Sequence, residues 1–220
     1  MKKSNFEKSE RYYAEHYEII FKEAFEAEGK VYLQDHDNGS LRLCRFCGKR
    51  APEVSFKNTA HAVPEFLGNR RILSLNECDG CNHFLANQYE DHLGRWSIID
   101  RAIFRIQNKS KKPKYKDFDN LIRIESGEYN LNIRVVDSEL THELIKAGEP
   151  YKFKKNIEIT SQSFIPIRAA MTLIKMACSL CPVSELNQCQ PAINWLMNPK
   201  QYRVSKYPVL KTFTPGDINN

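Results

Sequence analysis

Two cysteine pairs of identical spacing constrain this chain more than any other feature. Cys44-Arg-Phe-Cys47 and Cys78-Asp-Gly-Cys81 stand on either side of the stretch 48–77. A two-residue spacer lets a tight turn aim both sulfurs at one ion, and two such turns complete a tetrahedron of thiolates, the donor set of a structural zinc site. Gly48, just after the first pair, and Gly80, inside the second, suit turns in which backbone approaches sulfur closely. The cysteine count is seven, and the polar start Met1-Lys2-Lys3-Ser4-Asn5 is no secretory signal. A disulfide framework is therefore not expected, and the reading is of a cytoplasmic protein in a reducing compartment. The other three cysteines, Cys178, Cys181 and Cys189, lie in or after the apolar stretch 171–178 and are expected to pack as small hydrophobes.

Composition excludes several classes. With 41% hydrophobic, 11% aromatic and 27% charged residues, the chain is neither disordered nor fibrous. Its 220 residues are enough to bury a core without staples elsewhere. No apolar run in the chain is long enough for a membrane span, so no membrane partner is expected. The net charge of +6 permits a polyanionic partner without demanding one.

Local patterns outline the remaining organisation. Residues 10–28 are rich in helix formers, with Tyr13, Tyr17, Ile20, Ala24 and Phe25 as an apolar stripe expected to pack on the rest of the protein. Val31-Tyr32-Leu33 reads as a strand, and Asp35-His36-Asp37 as a solvated turn. Val54, Phe56 and the region of Ala60 alternate as an extended strand that carries His61 and ends at Pro64. After Cys81, residues 82–93 read as a helix with Leu85, Tyr89 and Leu93 on one side. The run 109–116 holds Lys109, Lys111, Lys112, Lys114 and Lys116 around Tyr115 and reads as a loop. Charge alone fits a solvated linker as well as a phosphate-binding loop with Tyr115 stacked on a base. Residues 121–125 and 131–136 alternate as strands, with weaker strand signals at Phe153 and Ile157–Ile159. A helix is expected over 167–180 and a second over 184–197, interrupted by Pro191, before an extended tail.

An imidazole on a strand inside a thiolate-stapled strand–loop–helix is a recognisable arrangement. The segment 44–93 resembles the HNH endonuclease family through Cys44-x-x-Cys47, Ala60-His61-Ala62-Val63-Pro64, Leu67-Gly68, Asn76, Cys78-x-x-Cys81-Asn82 and Glu90-Asp91. The resemblance implies a ββα-metal core of α+β class over 41–95. An N-terminal helix and strand over 1–40 precede it, and a mixed α/β region over 96–220 follows. It also implies His61 as general base, Asn76 as its support, and Asn82 as ligand of a catalytic Mg²⁺ or Mn²⁺, with His83 as competitor. Family members often place Asp, His or Glu before the base, where this chain has Ala60. Asn82 and Glu90 lie eight residues apart, roughly 80° around an α-helix, so Glu90 is the expected replacement ligand, ahead of Asp91.

The implied function is metal-dependent cleavage of DNA, with RNA also open. A regulatory protein partner, such as another subunit of a restriction or anti-phage defence system, belongs to the same reading. Two others stand beside it. Ala60 motivates a zinc-stapled nucleic-acid-binding adaptor with impaired catalysis. The cysteines alone would also suit a zinc ribbon that supports a protein interface.

Overall fold

The computed structural model describes residues 5–18, 28–35, 42–107, 113–117, 120–126, 131–135 and 162–200. Lys109, Lys111, Lys112, Phe153, Ile157–Ile159 and the tail after residue 200 lie outside them. The described chain mixes α and β elements. No single helix among the described residues is long and apolar enough to cross a membrane.

The first sheet has three short strands, β1 (Val31–Leu33), β2 (Ala60–His61) and β3 (Ile72–Ser74), in the order β1-β3-β2. β1 runs parallel to β3, whereas β2 is antiparallel to it, with His61 opposite Leu73. The strand foreseen from Val54 onward is thus confined to two residues. Upstream of it the chain is held by side-chain bonds instead of a ladder. Asp79 accepts hydrogen bonds from the Ser55 hydroxyl, from Lys57 N at 3.0 Å and from Asn58 N at 2.9 Å. Those donors hold the Asp79 carboxyl down to about 2. Between β2 and β3 the chain turns through Pro64 and a 3-10 turn, Glu65–Leu67, which ends on Gly68 at φ +93°. That left-handed backbone favours glycine.

The second cysteine pair opens a bent helical rod. α2 (Asp79–Leu85) starts on Cys78, whose sulfur accepts the Cys81 N–H. It passes through a single π-turn, Ala86–Glu90, into α3 (Asp91–Trp96), and α4 (Ile98–Ile103) follows after Ser97. The helix read over 82–93 therefore starts earlier and contains a π-turn. Such a turn takes one residue more than an α-turn.

Two later helices close over this rod. α5 (Pro166–Leu180) begins with proline at its first turn, where a missing N–H costs nothing. It packs on the π-turn and on α3. α6 (Leu186–Met197) runs unbroken through Pro191, which lies on the exposed side. One core joins Cys44, Phe46, Cys78, Cys81, Leu85 and Tyr89 to Met171, Cys178, Ile193 and Leu196. The Tyr89 hydroxyl donates to the Leu196 carbonyl at 2.6 Å and ties α6 to the π-turn. Cys178 belongs to that core, while Cys181 and Cys189 are half-buried, with the Cys189 thiol donating to Cys181 at 3.2 Å.

A second sheet of β4 (Lys114–Lys116), β5 (Ile122–Ser126) and β6 (Leu131–Val135) is antiparallel throughout. Its inner face puts Tyr115, Ile122 and Ile124 against Ala102 of α4.

Three expectations change. α1 spans Asn5–His16, and its Tyr13 and the following Tyr17 are 60% and 61% exposed instead of packed. Their rings meet each other at 5.4 Å. Asp35 is no solvated turn residue: its side chain is 7% exposed and pairs with Arg45. The lysine run is strand, not loop, at 114–116. Tyr115 is 3% exposed there, so it packs in the core and is not free to stack on a base.

Candidate metal centre and active site

The sulfurs of Cys44, Cys47, Cys78 and Cys81 all lie within 4.8 Å of one another. Cys47 and Cys78 approach to 3.9 Å, against about 3.8 Å for the edge of a tetrahedron with Zn–S bonds of about 2.3 Å. The cluster is shaped by backbone N–H groups that donate to its sulfurs and carbonyls, both within a pair and between the pairs. Gly48 N donates to Cys44 O at 2.9 Å with Gly48 at φ +68°. Cys44 Sγ accepts Cys78 N–H at 3.4 Å, and Cys78 Sγ accepts Cys81 N–H at 3.4 Å. The Cys81 thiol donates to Cys44 and draws its pKa down to about 5 against the opposing effect of burial. Burial pushes Cys78 up to about 11, and Cys81 is raised as the donor to Cys44. Four soft donors, buried or half-buried, have the chemistry of a closed zinc site.

Beside this cluster, β2 carries His61. The residue before it, Ala60, is 1% exposed and fills the core. His61 is fixed through its backbone, because its carbonyl accepts a hydrogen bond from Lys175 Nζ at 3.0 Å. Lys175 comes from α5 and is 0% exposed. Its ammonium also meets Glu77 Oε2 at 3.2 Å and Glu90 Oε1 at 3.1 Å. Burial alone would lower the Lys175 pKa, yet Glu77 and Glu90 outweigh it and hold the ammonium charged. Burial pushes Glu77 the other way, up to about 7, with Lys175 opposing.

The loop between β2 and β3 is stapled by Asn69, which is 0% exposed. Its Nδ2 donates to Val63 O at 2.7 Å and Ile72 O at 2.9 Å, and its Oδ1 accepts from Arg71 N at 3.1 Å and Ile72 N at 2.9 Å. All four hydrogen-bonding positions of the amide are used across the two sides of the loop. Neither Asn69 nor Lys175 is found by reading the sequence. The signal for Asn69 is its place directly after Leu67-Gly68. Lys175 has none, as a lone lysine in an apolar helix.

The sequence candidates take distinct places. Asn76 is 2% exposed beyond β3; its carbonyl accepts Arg45 N at 2.8 Å, and its Nδ2 finds no partner among the described residues. Asn82 is half-buried on α2, and its side chain makes no hydrogen bond to described residues. His83 is exposed and meets Asn87 Nδ2 at 3.0 Å. Glu90 closes the π-turn. The extra residue of that turn rotates later positions back by about 100°, which cuts the offset between Asn82 and Glu90 to about 20°. Asp91 is exposed and pairs with Arg95 at 2.5 Å. His61 and Glu90 are thus brought together through one ammonium. Lys114 and Lys116 lie on β4, in the other sheet.

The sequence profile of the HNH endonuclease family matches residues 44–97, a span that takes in the sulfur cluster, both His61 and Asn69, and the rod to α3. This segment is an HNH endonuclease domain. It covers about a quarter of the chain. No curated protein and no solved structure matches the chain. The HNH family implies a nucleic-acid substrate and a divalent metal. In this HNH domain the four cysteines provide a zinc donor set separate from His61.

Two outcomes are expected. Protein purified under reducing conditions should carry one zinc per chain by elemental analysis, and Cys78→Ser should lose both metal and fold, because the binding energy is also folding energy. Lys175→Met should lower stability by about 3–5 kcal/mol in urea titration, since it strands a buried carboxylate. Adding Glu77→Gln should recover part of that loss, and strictly additive losses would show that the pair is not coupled.

Proposed function

We propose that the HNH domain is a ββα-metal nuclease that hydrolyses phosphodiester bonds, with DNA as the first substrate to test. Such hydrolysis needs a base for the attacking water and a cation to neutralise the phosphate and stabilise the leaving oxygen. His61 is the proposed base. The observation that carries this reading is the double fixation of the His61 segment, by Lys175 at its carbonyl and by Asn69 across its loop, with the same ammonium meeting Glu77 beside Cys78. Rigid placement of that kind is what proximity catalysis requires.

Asn69 takes the supporting role first assigned to Asn76, because its amide links the chain after His61 to β3. Asn82 and Glu90 are the proposed ligands of a catalytic Mg²⁺ or Mn²⁺, hard cations that prefer oxygen. Lys175 meets Oε1 of Glu90 at 3.1 Å, and the carboxylate's second oxygen is the proposed donor to the cation. Ala60 supplies no ligand, and Glu90 compensates from the helix.

His61→Ala should lower the rate of plasmid cleavage with Mg²⁺ by about 10²–10⁴. Zinc content and thermal stability should stay near wild type, because the alanine keeps the carbonyl that Lys175 holds. An active variant removes His61 as base, and an inactive wild type leaves a nucleic-acid-binding adaptor. Glu90→Gln should raise the Mg²⁺ concentration for half-maximal cleavage more than Asp91→Asn does, since an amide offers a hard cation only a dipole.

A further inference from the structure

The outer face of the second sheet carries a row of cations that neither the sulfur cluster nor the His61 site uses. The register sets Lys116 opposite Arg123 and Arg123 opposite Arg134. Directly paired residues share a face, so the three side chains rise in one line across the sheet. All three are exposed. Strand spacing of about 4.8 Å makes the row about 10 Å long, the rise of about three phosphates along one strand of a duplex.

The neighbouring row is different. There Lys114 meets Glu125 at 3.5 Å, and Asn132 completes the line. The side chains of Lys116, Arg123 and Arg134 make no ion pair or hydrogen bond among the described residues. Like charges directly opposite one another destabilise a sheet, and an anion lying along the row would offset that repulsion. Among the described strand residues the outer face offers charged and polar side chains, Lys114, Lys116, Arg123, Glu125, Asn132 and Arg134, with exposed Leu121 just before β5. These described strand residues form no apolar centre of the kind a protein-binding patch has.

The row also has a firm support. The inner face of the sheet packs on α4, and Arg101 of α4 lies 4.9 Å over the ring of Phe66, in the 3-10 turn that follows His61. Arg101 is further held by Ser97 Oγ at 3.1 Å and Gly94 O at 2.8 Å. A continuous set of contacts therefore runs from the cationic row to the His61 loop.

We propose that this outer face binds the sugar-phosphate backbone of the nucleic-acid substrate through Lys116, Arg123 and Arg134. The proposal rests on the nuclease reading for its ligand, and extends it by naming where the substrate is held outside the HNH domain. Contacts of this type carry no base readout and depend steeply on salt.

Binding of a labelled DNA duplex to the His61→Ala protein, followed across about 50–200 mM salt, tests it. Replacing Lys116, Arg123 and Arg134 together with Gln should reduce the slope of log affinity against log salt by about 2.7. Replacing the exposed Lys30, Lys49 and Lys200 instead should leave the slope near that of the parent. An unchanged slope in the first triple, an equal fall in both, or binding of polyglutamate in place of DNA overturns the proposal. Cleavage by the wild-type chain is read separately. A lowered slope without cleavage keeps the row and removes the nuclease reading, whereas cleavage with an unchanged slope does the reverse. Thermal melting of the first triple should match or exceed the parent, because the substitutions remove a repulsion.

Discussion

The ammonium of Lys175, with no exposed surface, sits among the carboxylates of Glu77 and Glu90 and the carbonyl of His61. Ions removed from water are rarely worth their desolvation as a source of stability. What this arrangement supplies is position. Glu77 adjoins the second cysteine pair, Glu90 closes the π-turn, His61 lies on β2, and Lys175 is on a helix that begins long after the HNH segment ends. One side chain thereby sets the relative placement of strand, rod and cover helix. The π-turn belongs to the same arrangement, since it brings Glu90 toward the face of Asn82.

Much of the frame can be read directly from residues. Both cysteine pairs, the strand at Val31, the alternation of β5 and β6, and the long apolar helix before Cys181 are local patterns whose period survives folding. The features that escape are those whose meaning lies in a distant partner. Arg45 inside the first pair looks like an ordinary spacer residue, yet it donates to carbonyls at the far end of the described chain. Lys-Tyr-Lys at 114–116 has the period of a strand with one side buried, but the surrounding lysines conceal it. The row across β4, β5 and β6 requires the register, which no local pattern encodes.

The HNH segment is consequently not a free-standing module in this chain. Its core continues into α5 and α6 through Met171, Cys178, Ile193 and Leu196. Its loop is also held by Arg101 on Phe66. The cover helices thus brace the His61 loop and the rod through the Lys175 ammonium, and α4, which carries the second sheet, braces the loop through a cation over an aromatic ring.

The three carbonyls that receive Arg45 Nη1, those of Cys178, Ser179 and Cys181, lie at the end of α5, where a helix leaves its last acceptors without internal partners. A spacer residue of the first cysteine pair therefore serves as the cap of a helix made much later. During synthesis at about 5–20 residues per second, the interval between them is roughly 7–27 s. Asp35 is already present through that time to occupy the other edge of the guanidinium. The four sulfur ligands all precede α5 in the chain, whereas both the packing of their core and the partner of the His61 carbonyl arrive only with α5.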